Sequence, residues 1–145
     1  MRPQSVIRFE QLYLGSLARG IINYFVSYDS MMAQLEADPA IAELGFASFG
    51  FVIGTAIFSY AISLILWYFI ARKANNVLRW VLLILTVFGL ISLPSSLGTL
   101  PLIPTVMTLI LTAMQLVALF FLWRPDANEW FANKGSVEID ASTFE

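Results

Sequence analysis

The fold is decided by two stretches that contain no Asp, Glu, Lys or Arg: residues 44–71, LGFASFGFVIGTAIFSYAISLILWYFIA, and residues 80–123, WVLLILTVFGLISLPSSLGTLPLIPTVMTLILTAMQLVALFFLW. About 20 consecutive apolar residues cross the hydrocarbon core of a bilayer as a helix. The first stretch is long enough for one crossing, and the second for two crossings with a turn between them. The composition agrees with a membrane protein, since 59% of the residues are hydrophobic and 12% are charged, whereas soluble domains carry roughly 25% charged residues.

An amphipathic segment at about residues 9–32 adds a fourth crossing. Arg19 interrupts its apolar run, which argues against a cleaved signal peptide. Asp38 before Pro39 predicts the start of the second crossing, because Asp is a common N-cap and proline suits the first helical position. We predict an all-α fold, a bundle of four transmembrane helices in a single domain, residues 1–134. The helices lie at about 9–32, 39–71, 80–100 and 104–123.

The chain after the last crossing predicts a short helix and a tail. Pro125 and Asp126 suit the first turn of a helix, and Trp130 and Phe131 suit a membrane interface. We therefore predict a short C-terminal interfacial helix at about residues 125–132. Residues 135–145 are polar and acidic, and we expect them to form a mobile tail.

The basic residues predict an orientation. They precede the first predicted crossing, separate the second from the third, and follow the fourth. These residues are Arg2, Arg8, Arg72, Lys73, Arg79 and Arg124. The two loops at the opposite side contain no Lys or Arg. Because Lys and Arg concentrate in cytoplasmic loops, we predict that both termini face the cytoplasm.

The composition also excludes several kinds of site and partner. The net charge of −2 gives no basic patch for a nucleic acid. The chain has no Cys and no His, which excludes disulfides, thiolate chemistry and zinc sites built from those ligands. We predict no metal site and no cofactor. The expected partners are the lipid bilayer and either a second copy of the chain or another membrane protein.

Arg19 is the strongest candidate for a functional residue. Counted from Arg8, it lies ~16 Å along the first helix, about halfway across the bilayer. Ionisable groups at that depth are expensive and commonly face a bundle interior or water. Groups on its own and other helices at similar depth offer hydrogen-bonding atoms. This candidate polar centre comprises Arg19, Asn23, Ser59, Tyr60, Ser63 and Gln115. Arg19 either serves a function there, or it is neutralised by such groups or snorkels and simply fixes helix packing.

Three other features have a functional and a structural interpretation. The turn between the third and fourth helices could form an outer polar site from Ser92, Ser95, Ser96 and Thr99. A compact uncharged turn, or a proline kink at Pro94, is the structural alternative. The loop containing Asp29, Glu36, Asp38 and Glu43 could bind a cation, but a solvated acidic face is favoured because no EF-hand spacing occurs. The small pairs Gly50/Gly54 and Ser16/Gly20 favour helix packing within the bundle over dimerisation.

Two terminal segments resemble known proteins. The segment Leu122-Trp123-Arg124-Pro125-Asp126-Ala127-Asn128-Glu129-Trp130-Phe131 resembles the ending of small bacterial four-helix membrane proteins of unassigned function. The opening Arg8-Phe9-Glu10-Gln11-Leu12-Tyr13-Leu14 is similar to their first helices. The resemblance covers about an eighth of the chain and implies a bacterial inner-membrane location, but no activity. A looser likeness, in helix number alone, is to DoxX-like proteins.

Enzyme motifs such as GxSxG, a P-loop, HExxH or CxxC do not occur in the sequence. We predict a non-enzymatic polytopic membrane protein, an accessory or interaction component of the inner membrane. The alternative is a small oligomeric transporter or channel with a polar centre around Arg19 and Gln115. An enzyme acting on lipid or quinone is the third possibility.

Overall fold

The computed structural model describes residues 2–46, 48–98 and 101–133, and this part of the chain contains helices joined by short turns, without a β-strand. In chain order the helices are α1 (Gln4–Ala37), α2 (Pro39–Glu43), α3 (Phe49–Lys73), α4 (Asn76–Leu97), α5 (Leu102–Leu122) and α6 (Pro125–Ala132). The predicted all-α fold is therefore confirmed for the described residues. The predicted acidic tail, residues 135–145, lies outside them.

Three of the helices are long and apolar enough to cross a membrane: α3, α4 over Asn76–Ser95, and α5. Their outer faces carry large exposed apolar side chains, for example Phe58, Phe88 and Phe120. In water such extensive apolar surface would drive association, whereas bilayer lipid covers it readily. The structure thus indicates a multi-pass membrane protein.

The main neighbour of α1 is α5, and the two helices are antiparallel. Gly15 lies beside Met114, and the Asn23 side-chain amide donates to Thr108 Oγ1 at 3.3 Å. Residue numbers therefore rise along α1 as they fall along α5. With 34 and 21 residues, the helices are ~51 Å and ~31 Å long at 1.5 Å per residue. The last turns of α1 consequently extend past the start of α5.

Two tyrosines on α1 join it to α3 in the same antiparallel sense. The Tyr13 hydroxyl donates to the Ser63 carbonyl at 3.3 Å, and the Tyr24 hydroxyl donates to the Val52 carbonyl at 2.8 Å. Both bonds satisfy a phenol group inside an apolar environment, where an unpaired hydroxyl is costly.

The buried core lies at one end of the bundle. There the N-termini of α1 and α4 meet the C-termini of α3 and α5, and α6 packs against them. The core residues are Val6, Phe9, Tyr13, Leu66, Ile70, Ala71, Ala74, Leu82, Ala118, Leu119, Leu122, Ala127, Trp130 and Phe131. Because the core is concentrated here, this end fixes the relative position of the helices.

The predicted second helix, residues 39–71, is in fact two helices. Asp38 does cap a helix, since its Oδ1 accepts from Ala40 N at 3.0 Å, but that helix is the five-residue α2. Gly45 follows it with φ 74°, a left-handed conformation that stops the helix. The membrane helix α3 begins later, at Phe49, where Ser48 Oγ accepts from Phe51 N.

The other boundaries differ by a few residues. The predicted 80–100 helix begins earlier, because Asn75 Oδ1 accepts from the backbone N–H groups of Val77 and Leu78 and caps α4. Pro94 lies inside α4, so the proline-containing segment is helical there and not a re-entrant turn. The helix predicted at 9–32 extends at both ends to Gln4–Ala37, since residues 33–37 are good helix formers.

Candidate functional site

A cleft of about 320 Å³ lies between α3 and α4, with α1 and α5 behind it. Most of its lining surface is apolar, but six polar side chains also line it, and we call it the polar cleft. It lies within the apolar length of these helices. The polar side chains that line it are Tyr13, Ser59, Ser63, Thr86, Thr112 and Gln115. None of the lining residues carries a charge.

The cleft is closed at one end and open at the side. Tyr13, Leu66, Leu82 and Leu119 are buried and belong to the core that closes it. Lining residues on α3 and α4 are exposed instead: Ser59, Ile62, Leu85 and Gly89. The opening therefore lies between α3 and α4 and faces the surface that the bilayer covers.

The hydroxyl groups in the cleft bond mainly to backbone carbonyls. Ser63 Oγ donates to Ser59 O at 2.8 Å, and Thr86 Oγ1 donates to Leu82 O at 2.9 Å. Thr112 Oγ1 likewise donates to a carbonyl one turn back, at 2.9 Å. The half-buried Gln115 side chain forms no hydrogen bond with any residue that the structure describes.

A smaller cavity of about 210 Å³ adjoins the cleft and shares Ser59, Ser63 and Gln115 with it. Ser16 and Gly20 of α1 and Tyr60 of α3 line its other sides. A Cβ added at Gly20 would lie 2.7 Å from the Tyr60 hydroxyl oxygen, so only glycine fits there without a shift.

Among the described residues, the pair Gly50/Gly54 does not lie against a neighbouring helix. A Cβ added at Gly50 or Gly54 would meet no atom within 4 Å. These two glycines therefore do not mediate packing in the monomer, contrary to the expectation that favoured bundle packing for both pairs. Ser16 and Gly20 do face a neighbouring helix.

The structure brings together four of the six residues of the predicted polar centre. Ser59, Tyr60, Ser63 and Gln115 surround the two adjoining cavities. Arg19 lines neither cavity. Asn23 lies between α1 and α5, where its Nδ2 bonds to Thr108 and its Oδ1 is buried without a partner among the described residues.

Arg19 lies on an exposed face beside a separate apolar groove between α1 and α5. The groove has a volume of about 240 Å³, and the other lining residues are Ile22, Met107, Ile110 and Leu111. Arg19 has no hydrogen bond or ion pair with any residue that the structure describes. Among the described residues its guanidinium therefore has no countercharge, and the groove beside it is apolar.

Sequence reasoning missed Tyr13, Thr86 and Thr112 as cleft residues. The sequence does indicate Thr112. Thr108, Thr112 and Gln115 are spaced by four and three residues, so they share one face of the helix. Tyr13 and Thr86 have no comparable pattern around them. Their place in the cleft follows from the packing of the helices.

Arg79 was interpreted only as an orientation signal, but it is an organising residue of the core. It is 7% exposed, and its Nη1 donates to Leu122 O at 3.1 Å and to Asn128 Oδ1 at 2.7 Å. Its guanidinium carbon lies 4.8 Å from the ring centres of both Trp123 and Phe131. One side chain thus joins α4, α5 and α6.

Two carboxylates hold the first turns of α1 at the same end of the bundle, where Glu10 joins α1 to the end of α3 and Asp126 joins it to α6. Glu10 forms ion pairs with Arg2 and with Arg72, the latter at 2.9 Å. Asp126 accepts hydrogen bonds from Ser5 Oγ at 2.7 Å and from Ser5 N at 3.2 Å. Ser5 N lies in the uncapped first turn of α1, so Asp126 acts as a cap from another helix.

The pKa of Asp126 lies below its ordinary value. Burial alone would raise this pKa, but hydrogen bonds from Ser5 and from Ala127 N, together with the charge of Arg124, outweigh it. Asp126 is therefore ionised at neutral pH and holds α1 against α6.

Of the predicted outer polar turn, the structure describes the side chains of Ser92 and Ser95. Ser92 Oγ and Ser95 Oγ donate to carbonyls of their own helix, Phe88 O and Ser92 O. The Ser96 side chain and Thr99 lie outside the described residues. Within the part of the chain that the structure describes, no group of three His, Cys, Asp or Glu side chains could hold a metal ion.

No protein-family model, curated protein or solved structure matches the chain. The functional argument therefore depends on the geometry of the cleft and of the Arg19 groove.

Proposed function

We propose that the chain is a non-enzymatic accessory protein of the bacterial inner membrane that binds another membrane protein through the groove beside Arg19. It crosses the bilayer four times, with both termini in the cytoplasm. The bacterial location follows from the resemblance of the two terminal segments, and the orientation from the distribution of Lys and Arg.

Two observations support α1 as the fourth crossing. It runs antiparallel beside α5, an apolar helix of bilayer length. The hydrogen bonds between Ser5 and Asp126 bring the start of α1 beside α6, an arrangement that an even number of crossings would give.

The exposed and unpaired Arg19 is the observation that carries the proposal. Its groove neighbour Ile110 lies ~12 Å from the start of α5 and ~18 Å from its end, so Arg19 is near the middle of the membrane. A central arginine costs about 2.5–3.5 kcal/mol on insertion scales. Such a group pairs with another polar group, faces water or snorkels to the interface; because Arg19 has no partner among the described residues, its guanidinium is available to a carboxylate of another helix.

The complementary partner is a transmembrane helix with an Asp or Glu near its centre. The carboxylate would accept hydrogen bonds from the guanidinium, and apolar side chains would contact the exposed Ile22, Met107 and Ile110. A second copy does not meet this need, because a symmetric dimer brings two Arg19 residues to the same depth. The apolar stretches of the chain also contain no carboxylate.

Model peptides test this proposal directly. The full chain is reconstituted in dioleoylphosphatidylcholine vesicles with polyleucine transmembrane peptides that carry a central Glu, Leu or Lys, and association is measured by energy transfer. We expect about tenfold tighter binding of the Glu peptide than of the Leu peptide. Arg19→Leu removes the difference, whereas Arg124→Leu, a matched change outside the groove, preserves it. Equal binding of all three peptides would refute the proposal.

The polar cleft is the observation that favours the alternative of a small oligomeric transporter or channel. That alternative places Arg19 and Gln115 in one polar centre. In the structure Gln115 lines the two polar cavities and Arg19 lines the apolar groove. The cleft also ends at the buried core, so it forms no continuous path through the bundle.

A further inference from the structure

Most hydroxyl groups that line the polar cleft have already donated their proton but still have free acceptor positions. A hydroxyl has one donor proton and two acceptor positions. The protons of Tyr13, Ser63, Thr86 and Thr112 are already donated to backbone carbonyls. These four groups therefore still offer hydrogen-bond acceptors to an occupant, while the Ser59 hydroxyl, which lines the cleft and donates to no described residue, still offers its proton as well.

Gln115 adds free hydrogen-bond donors and a free acceptor. Its side-chain amide lines the cleft and pairs with none of the described residues. An amide that enters hydrocarbon without a partner costs several kcal/mol on cyclohexane-type scales. Its NH₂ group can donate to a carbonyl or ether oxygen, and its oxygen can accept from a hydroxyl.

The surroundings restrict the occupant further. No lining residue is charged, so an ionic head group would enter without a countercharge. The volume of about 320 Å³ is at the lower limit for a small-molecule pocket and too small for a whole helix. The opening between α3 and α4 faces the bilayer, so an occupant can enter sideways and leave its chains in lipid.

We propose that the cleft binds the head of an uncharged, hydroxyl-bearing lipid. The lipid hydroxyl donates to the acceptor oxygens of the cleft, and a neighbouring carbonyl or ether oxygen of the lipid accepts from the Gln115 amide. This site does not depend on the partner helix, because Arg19 does not line the cleft. Loss of peptide binding in Arg19→Leu and loss of lipid binding in cleft variants are therefore separate results.

Two variants remove the site by different means. Gly89→Leu fills the cleft, and a Cβ at Gly89 would meet no atom within 4 Å, so the change introduces no backbone clash. Gly54→Leu is the matched control, since Gly54 is equally open but lies outside the cleft. Gln115→Leu removes only the unpaired amide, and Gln11→Leu is its control at an exposed position on α1.

The test uses the purified full chain in detergent and measures bound lipid by native mass spectrometry. The probes are dioleoylglycerol, its methyl ether, which has no hydroxyl donor, and dioleoylphosphatidylglycerol, which is charged. We expect one dioleoylglycerol per chain, bound about tenfold more tightly than the ether. Gly89→Leu abolishes this binding and Gln115→Leu weakens it about tenfold, while both controls bind as the wild type does.

The outcomes that would overturn the proposal are equally specific. They are no saturable binding of dioleoylglycerol, equal binding of alcohol and ether, tighter binding of the charged lipid, or unchanged binding in Gly89→Leu. Circular dichroism and size-exclusion chromatography establish that each variant is folded. If Gly89→Leu does not fold, Gln115→Leu and the comparison of alcohol with ether decide the question.

Discussion

Replacement of Arg79 by methionine tests the core that holds the helices together. Methionine preserves most of the side-chain length and removes the charge. The change removes the hydrogen bonds to Leu122 O and Asn128 Oδ1 and the contacts with the rings of Trp123 and Phe131. It also leaves one buried carbonyl and one amide oxygen without this donor.

The expected loss follows from these contacts. Hydrogen bonds to a charged group contribute about 1.5–3 kcal/mol each, and each cation–π contact adds about 0.5–1 kcal/mol. Against these gains stands the free-energy cost of removing the Arg79 guanidinium from water, which is several kcal/mol. Methionine at this position does not have that cost. We therefore expect Arg79→Met to lower the free energy of unfolding by about 2–3 kcal/mol.

The assay is equilibrium unfolding by sodium dodecyl sulfate in mixed micelles, followed by tryptophan fluorescence. The rings of Trp80 and Trp123 are 5.6 Å apart next to Arg79, so the signal reports on this region. Arg124→Met is the matched control at an exposed position, with an expected change under about 0.5 kcal/mol. Equal stability of the two variants would show that Arg79 does not organise the core.

Three further predictions concern individual contacts and the topology. Because the pKa of Asp126 is lowered in the folded chain, its contribution is present above its unfolded pKa and is lost as the pH falls through the folded pKa. The unfolding free energies of wild type and Asp126→Asn should thus differ by about 1 kcal/mol at neutral pH and converge as the pH falls below the folded pKa of Asp126. Gly20→Ala and Gly54→Ala gain the same helix propensity, but only a Cβ at residue 20 would meet Tyr60, so Gly20→Ala should have the lower unfolding free energy of the two by about 1 kcal/mol. Equal values would contradict the packing. Ala33→Cys, in a chain without other cysteines, should react with an impermeant maleimide from outside the cell, and protection there would contradict four crossings.

The helices were predictable because they depend on local chemistry. Long charge-free stretches allow few structures other than apolar helices, so the three candidate spans follow from the sequence. The interruption between α2 and α3 was missed, although Gly45 and Ser48 are a local stop and a local cap. The Asp38-Pro39 signal was correct as a cap but belonged to a shorter helix.

The candidate site was predictable only in part. Depth along each helix groups Ser59, Ser63 and Gln115, and these three residues line one cleft in the structure. Depth does not give the direction in which a side chain points. Arg19 was therefore expected with the other polar groups, whereas helix rotation places it in a different groove.

Reversal of the charge at residue 19 tests the central claim most directly. In the energy-transfer assay with model peptides, wild type should prefer the peptide with a central Glu, and Arg19→Glu should prefer the peptide with a central Lys, each by about tenfold. Such an exchange follows from direct charge pairing at this position. Two results would contradict the account. In one, Arg19→Glu still prefers the peptide with a central Glu. In the other, neither the wild type nor Arg19→Glu binds a charged peptide better than polyleucine.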